Sequence, residues 1–140
     1  MQIWFTVPDL EEMNRQSEGT LVQHIGIEYV AVGDDFLAAT LPVDERTVQP
    51  YGILHGGASV VLAETLGSAA AMHCIDPERQ ICVGLDINAN HIRSVRQGRV
   101  TGTASPAHLG KSTQVWEIRI SDEESRLVCL SRITMAILQR

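Results

Sequence analysis

Aromatic side chains are scarce: two Trp, two Tyr and two Phe make 4% of the 140 residues, so no stacking cage can be read from the chain. Cysteine is scarce too, and Cys74, Cys82 and Cys129 are odd in number, far apart and without a CxxC pair. That excludes a disulfide framework and a cysteine zinc site, and leaves buried free thiols as the expected state. Positive charge is short, with 11 Lys and Arg against 17 Asp and Glu and a formal charge of −6. A general nucleic-acid binder needs clustered cations to neutralise phosphates, so that class is excluded and any anionic ligand must be met locally. Long apolar runs are missing as well. The most apolar stretch, Gly52 to Ile75, is interrupted by His55 and Glu64 and reads poorly as a membrane span. Met1 to Val7 lacks the basic start and apolar run of an export signal, so a soluble cytoplasmic protein is expected. No repeat, low-complexity segment or linker interrupts residues 27 to 138, and chains split into domains only beyond about 250 residues. Residues 1–140 are therefore expected to form one domain.

What is present is a strict alternation of patterns. Pro8 to Gln16 places Pro and acidic residues ahead of Leu10 and Met13, the arrangement of a short capped helix. Two extended runs between Ile27 and Val43 flank Gly33-Asp34-Asp35, a hairpin signal. Asp44 to Leu54 has no period and contains Gln49-Pro50 and Gly52, which predicts a shaped loop delivering the chain to His55. Gly56 to Cys74 is rich in Ala and Leu, free of Pro, and charged only at Glu64, so it reads as the main helix. From Ile81 onward four strands follow, with Trp116, Ile118 and Ile120 on one face, Glu117 and Arg119 on the other, and the same alternation at Ile133, Met135 and Ile137. A helix that is apolar all round must be enclosed, and strands with one apolar face need a cover. An α+β fold, a curved antiparallel sheet wrapped around one long helix, meets both demands.

Glu64 is the sharpest chemical signal. A carboxylate in an otherwise uncharged helix costs several kcal/mol unless it is paired or partly solvated. It reads as a base or nucleophile in a cleft, against the plainer alternative of a Glu bonded to a nearby Arg or backbone group. His55, Gly56 and Gly57 fall where the loop meets the helix, so unpaired N–H groups and the positive end of the helix dipole lie beside an imidazole, an oxyanion site in outline. Nine positions separate His55 from Glu64, about 900° of rotation and about 13.5 Å of rise on an ideal helix. The two therefore point to opposite faces, and one small substrate meets both only if two chains contribute one each, which predicts a homodimer with shared active sites. Ser68 lies one turn beyond Glu64 and, with Thr65, forms a narrow hydroxylated border beside it.

The run QPYGILHGGASVVLAETLGS, Gln49 to Ser68, resembles the hotdog-fold acyl-CoA thioesterases of the phenylacetate-pathway type. The likeness is strongest to the branch acting on 1,4-dihydroxy-2-naphthoyl-CoA and on aroyl groups misloaded onto the enterobactin carrier protein. It extends over LPVDERTVQP, VGLDINANHIR, HLGKSTQVWEI and SRITMAI, almost the whole chain. The resemblance implies a hotdog fold, dimers often paired into tetramers, and hydrolysis of an aroyl thioester carried on coenzyme A or a carrier protein. It implies that Glu64 attacks the thioester carbonyl or activates water from the partner subunit, and that Gly56 offers its N–H to the thioester oxygen. Gln49 and His55 would polarise or hold the substrate, and Ser68 would stand near the hydrolytic water or leaving group. Gly57, Thr65 and His91 would border the acyl group. Ile92 and Ser94 depart from the His or Leu and the Pro usual in relatives, and Tyr51 replaces a common Phe, adding a hydroxyl that faces either a phenolic acyl group or the sheet. Arg93, Arg96 and Lys111 are candidate contacts for the coenzyme A phosphates or else solvated surface cations.

His24, His73 and His108 have no partners at ligand spacing, so no metal and no bound redox cofactor are expected, coenzyme A being part of the substrate. Two other classes compete. A hotdog hydratase or dehydratase also pairs a His with a carboxylate, but the Gln49 to Ser68 pattern looks unlike that branch. A non-catalytic acyl-CoA binding protein would have little reason to keep a lone costly carboxylate on the helix.

Overall fold

The alternating runs pair into one antiparallel sheet and the Ala-rich run becomes its central helix, as a computed structural model describes over residues 1–140. In chain order the elements are α1 (Leu10–Gln16), α2 (Leu21–His24), β1 (Glu28–Val32), β2 (Leu37–Pro42), α3 (Gly56–His73), β3 (Gln80–His91), β4 (Arg99–Leu109), β5 (Thr113–Ser121) and β6 (Leu127–Gln139). The six strands run β1-β2-β4-β5-β6-β3 across the sheet, every neighbour antiparallel. This is the α+β architecture that the sequence predicts. The hairpin stands where Gly33-Asp34-Asp35 predicts it, closed by a bond from the Gly33 N–H to the Phe36 carbonyl at 3.0 Å. Asp9 caps α1 by accepting from the Glu12 N–H at 3.2 Å. The single turn α2 was not predicted, because four residues are too few to show a period.

Inward residues of the sheet form the core. Trp116, Ile118, Ile120, Ile133 and Met135 are buried, while Arg119 and Arg132 project outward with Glu117 between them. Trp4 of the amino-terminal segment stacks on Trp116 at 6.3 Å and donates its indole N–H to the Gly33 carbonyl, tying that segment to the sheet. Burial pushes the Cys74 thiol up to about 11 and also raises Cys82 and Cys129, which suits three free thiols.

The helix reaches the sheet closely because two glycines remove side chains from the contact. A Cβ on Gly67 would lie 2.4 Å from the Ile133 Cγ2, and one on Gly102 would lie 2.8 Å from the Leu66 Cδ1. At Gly67 the obstacle is a branched, buried core side chain that cannot swing away. Gly67→Ala gains about 0.5–1 kcal/mol of helix propensity but overpacks the core by about 1–3 kcal/mol, so a lower denaturant midpoint is expected.

One expectation changes. The helix buries Ser59, Leu62, Ala63, Leu66, Gly67, Ala70 and Ala71 against the sheet, yet Gly57 and Met72 are exposed and Val61, Glu64, Thr65 and Ser68 only half-buried. A single sheet covers one side of a cylinder, so one chain leaves the enclosure half complete and Glu64 is not fully buried.

Candidate functional site

The loop from Asp44 to Leu54 is built to present the start of α3. Thr47 is buried, its hydroxyl donating to the Pro42 carbonyl at 2.7 Å and its own carbonyl accepting from the His55 N–H at 2.8 Å. Val48 and Leu54 form a β-bridge, and the Gln49 N–H donates to the Ile53 carbonyl at 2.9 Å. Between them Gly52 adopts φ +78, which a side-chain-bearing residue takes only with strain. The Gln49 side-chain oxygen accepts from the Tyr51 N–H, and its amide hydrogens have no acceptor in the chain. Tyr51 is 82% exposed, so its ring does not face the sheet. Arg96 donates to the Tyr51 carbonyl at 3.2 Å and so acts as a brace for this loop.

His55 caps α3, its Nδ1 accepting from the Gly57 N–H at 2.7 Å. That bond leaves Nδ1 without a hydrogen and places the ring proton on Nε2, facing away from the helix. The Gly57 N–H is thereby used, and the space beside its Cα is filled by the His55 ring, whose Cε1 and Nδ1 a Cβ would meet at 2.9 Å. The Gly56 N–H has no acceptor in the chain and remains free at the positive end of an 18-residue helix. His91, at the end of β3, lies over Gly56: a Cβ there would meet its Nε2 at 2.9 Å. His55, Gly56, Gly57 and His91 thus form one cluster, and the loop that carries Gln49 and Tyr51 leads into it.

Glu64 belongs to a second cluster. Its Oε2 accepts from the Ser68 hydroxyl at 3.3 Å, one turn away on the same face as the spacing predicts. The carboxylate borders a recess of about 240 Å³ lined by Gly84, Leu85, Asp86, Ile87 and Ile133. No cation pairs with it, so the plainer reading of Glu64 as half of an ion pair fails; Ser68 is its one hydrogen-bond partner. Two features here were not read from the sequence. Gly84 gives way to the carboxylate, and a bulge at Leu85 shifts the register between Gly84↔Met135 and Asp86↔Thr134. The bare glycine inside an apolar strand was the signal available.

Within one chain the two clusters stay apart. Eight helical residues separate Gly56 from Glu64, about 12 Å of rise. Arg93 and Lys111 are also separated: Arg93 follows β3 beside Val128 at the start of β6, whereas Lys111 sits in the β4–β5 turn beside the end of β6. That is roughly 28 Å along a strand, so one chain does not bring these two cations to one phosphate group. Ile92 is 58% exposed at the same end as His91. Three larger recesses, about 720, 570 and 360 Å³, lie around α1 and α2 and include neither cluster. The most voluminous of these hollows is not where the chemistry gathers.

The strand β3 supplies the remaining geometric fact. It is an edge strand, hydrogen-bonded only to β6, and it exposes Val83 at 39% and Leu85 at 62%. An unpaired twelve-residue edge with exposed apolar side chains is a ready template for another strand.

Comparison with known proteins agrees with this architecture. Residues 51–129 match the family described as Thioesterase superfamily. The chain is 54% identical over 136 residues to 1,4-dihydroxy-2-naphthoyl-CoA hydrolase of Escherichia coli K12, covering 97% of this chain and 99% of that one. It is 52% identical over 136 residues to proofreading thioesterase EntH of Cronobacter turicensis, covering 97% and 98%. Among solved structures, a mutant thioesterase from Pseudomonas aeruginosa superposes with a TM-score of 0.97 at 47% identity, covering 99% of this chain and 100% of that one. The helix capped by His55, the six-stranded antiparallel sheet around it and these matches place the chain in the thioesterase superfamily, as a thioester hydrolase on a hotdog fold.

Proposed function

We propose that this thioesterase hydrolyses aroyl thioesters of coenzyme A or of a carrier protein, in an active site shared between two copies of the chain. The observation that carries the reading is the free Gly56 N–H at the start of α3, together with an unpaired carboxylate about two turns along the same helix. The thioester carbonyl accepts from the Gly56 N–H, with Gln49 and the Nε2–H of His55 beside it, which stabilises the charge that develops on oxygen. Glu64 of the other copy takes a proton from water, the hydroxide adds to the carbonyl carbon, the C–S bond breaks, and the protonated Glu64 passes that proton to the departing thiolate, leaving a carboxylic acid and a thiol. The recess of about 240 Å³ beside Glu64 has room for a water next to the carboxylate, as the base role requires. Ser68 holds the carboxylate, and Thr65, His91, Ile92 and Tyr51 border the acyl group. Arg93 of one copy and Lys111 of the other are assigned to the phosphates of coenzyme A, since one chain keeps them apart.

The exposed edge of β3 supports pairing of two chains into a homodimer; pairing of dimers into a homotetramer rests on the family resemblance alone. The aroyl preference rests on the relative that is named for a naphthoyl-CoA substrate. Thiol release measured over a panel of benzoyl-, hydroxybenzoyl-, dihydroxynaphthoyl-, short-chain and long-chain acyl-CoA is expected to show kcat/KM highest for the aroyl members. A profile led by long-chain acyl groups would overturn the aroyl assignment, and binding without cleavage of any member would overturn the hydrolytic one.

A further inference from the structure

We propose that Gly84 is a positioning residue for Glu64, present to leave space for the carboxylate rather than to shape the strand; this rests on Glu64 being the catalytic carboxylate. A Cβ built on Gly84 would lie 2.9 Å from Glu64 Oε2 and 3.9 Å from its carboxyl carbon. The same oxygen accepts from the Ser68 hydroxyl on its other side. Oε2 thus lies between a hydroxyl on its own helix and a bare Cα on the facing strand, with Ser68 its one hydrogen-bond partner.

The backbone gives no separate reason for glycine at this position. Gly19, Gly26, Gly52 and Gly98 adopt positive φ, but Gly84 does not, so an L side chain fits its conformation. Glycine inside a strand weakens it, lacking a side chain to pack and losing more entropy on folding. The neighbouring bulge at Leu85 is of a kind that residues other than glycine form when φ is negative. Around the position a methyl group meets the Ile133 Cδ1 at 3.9 Å, an ordinary contact, so the carboxylate is the one group that must move. Alanine should therefore suit the fold and harm the chemistry, a local exchange of stability for activity.

The test compares Gly84→Ala, Glu64→Ala and the double variant, using benzoyl-CoA for turnover and thermal unfolding for stability. Gly84→Ala is expected to keep or raise Tm, to hold KM within about twofold, and to lower kcat roughly 10- to 100-fold, the loss that follows when a reacting group is displaced by about 1 Å. In the Glu64→Ala background, where nothing collides with the methyl group, the same substitution raises Tm. A drop in Tm or failure to fold would assign Gly84 to the scaffold and overturn the proposal. So would a kcat within twofold of the parent while Glu64→Ala is inactive. Parental turnover by Glu64→Ala would instead remove the catalytic role of Glu64, and the proposal with it.

Discussion

Glu64→Gln is expected to lower kcat for thioester hydrolysis by about 10²–10⁴-fold, the range for removing a positioned general base. The amide is isosteric with the carboxylate, so its oxygen can still accept from the Ser68 hydroxyl and fill the same space above Gly84. It cannot take a proton from water. Because Glu64 is half-buried and pairs with no cation, the substitution breaks no ion pair and leaves the α3–sheet contact intact, so unfolding should be unchanged. KM should stay within a few-fold, since the proposed mechanism meets the thioester oxygen at Gly56 and not at residue 64. A stopped assay of thiol release with steady-state kcat and KM checks both parameters. A fall in kcat/KM carried wholly by KM would mean that Glu64 binds substrate rather than activating water.

The reason Glu64 stood out in the sequence is also the reason its surroundings did not. A lone charge on an apolar helix is a local irregularity, visible without knowing what packs on it. The spacing of Glu64 to Ser68 is equally local, and the structure bears it out at 3.3 Å. Gly84 and the Leu85 bulge become meaningful only when β3, separated from Glu64 in the chain, is laid against α3 at the far edge of the sheet. The placement of β3 beside β6 could not be inferred from alternation alone, because period two fixes which face is buried and says nothing of strand order. The same limit explains Arg93 and Lys111: both lie at strand ends in the sequence, but the ends belong to opposite rims of the sheet. Enclosure of α3 failed for a related reason. An apolar helix shows that it needs a cover, not that its own chain provides all of it, and the face carrying Val61, Thr65 and Ser68 stays half-exposed in one chain.

Gly56→Ala is expected to reduce kcat/KM by about 10²-fold without destabilising the fold. Alanine is the better helix former at the first position of α3, and the N–H proposed to meet the thioester oxygen is retained. What changes is the space on one side of that N–H. The new methyl would sit 2.9 Å from His91 Nε2 and 3.1 Å from its Cε1, so the ring must leave the place it now occupies. His91 is exposed at the end of β3 and can swing outward at little cost to folding. The acyl group then loses the imidazole beside it and meets a methyl group in the approach to the oxyanion donor, a displacement of the kind that costs about 10²-fold. Combining Gly56→Ala with His91→Ala separates the two contributions. If the collision with the ring is the cause, Gly56→Ala adds little loss once the ring is gone. An undiminished 10²-fold loss in that background would place the methyl group itself in the path of the carbonyl. Parental activity of Gly56→Ala alone would show that the thioester oxygen does not approach the helix from the side that His91 guards.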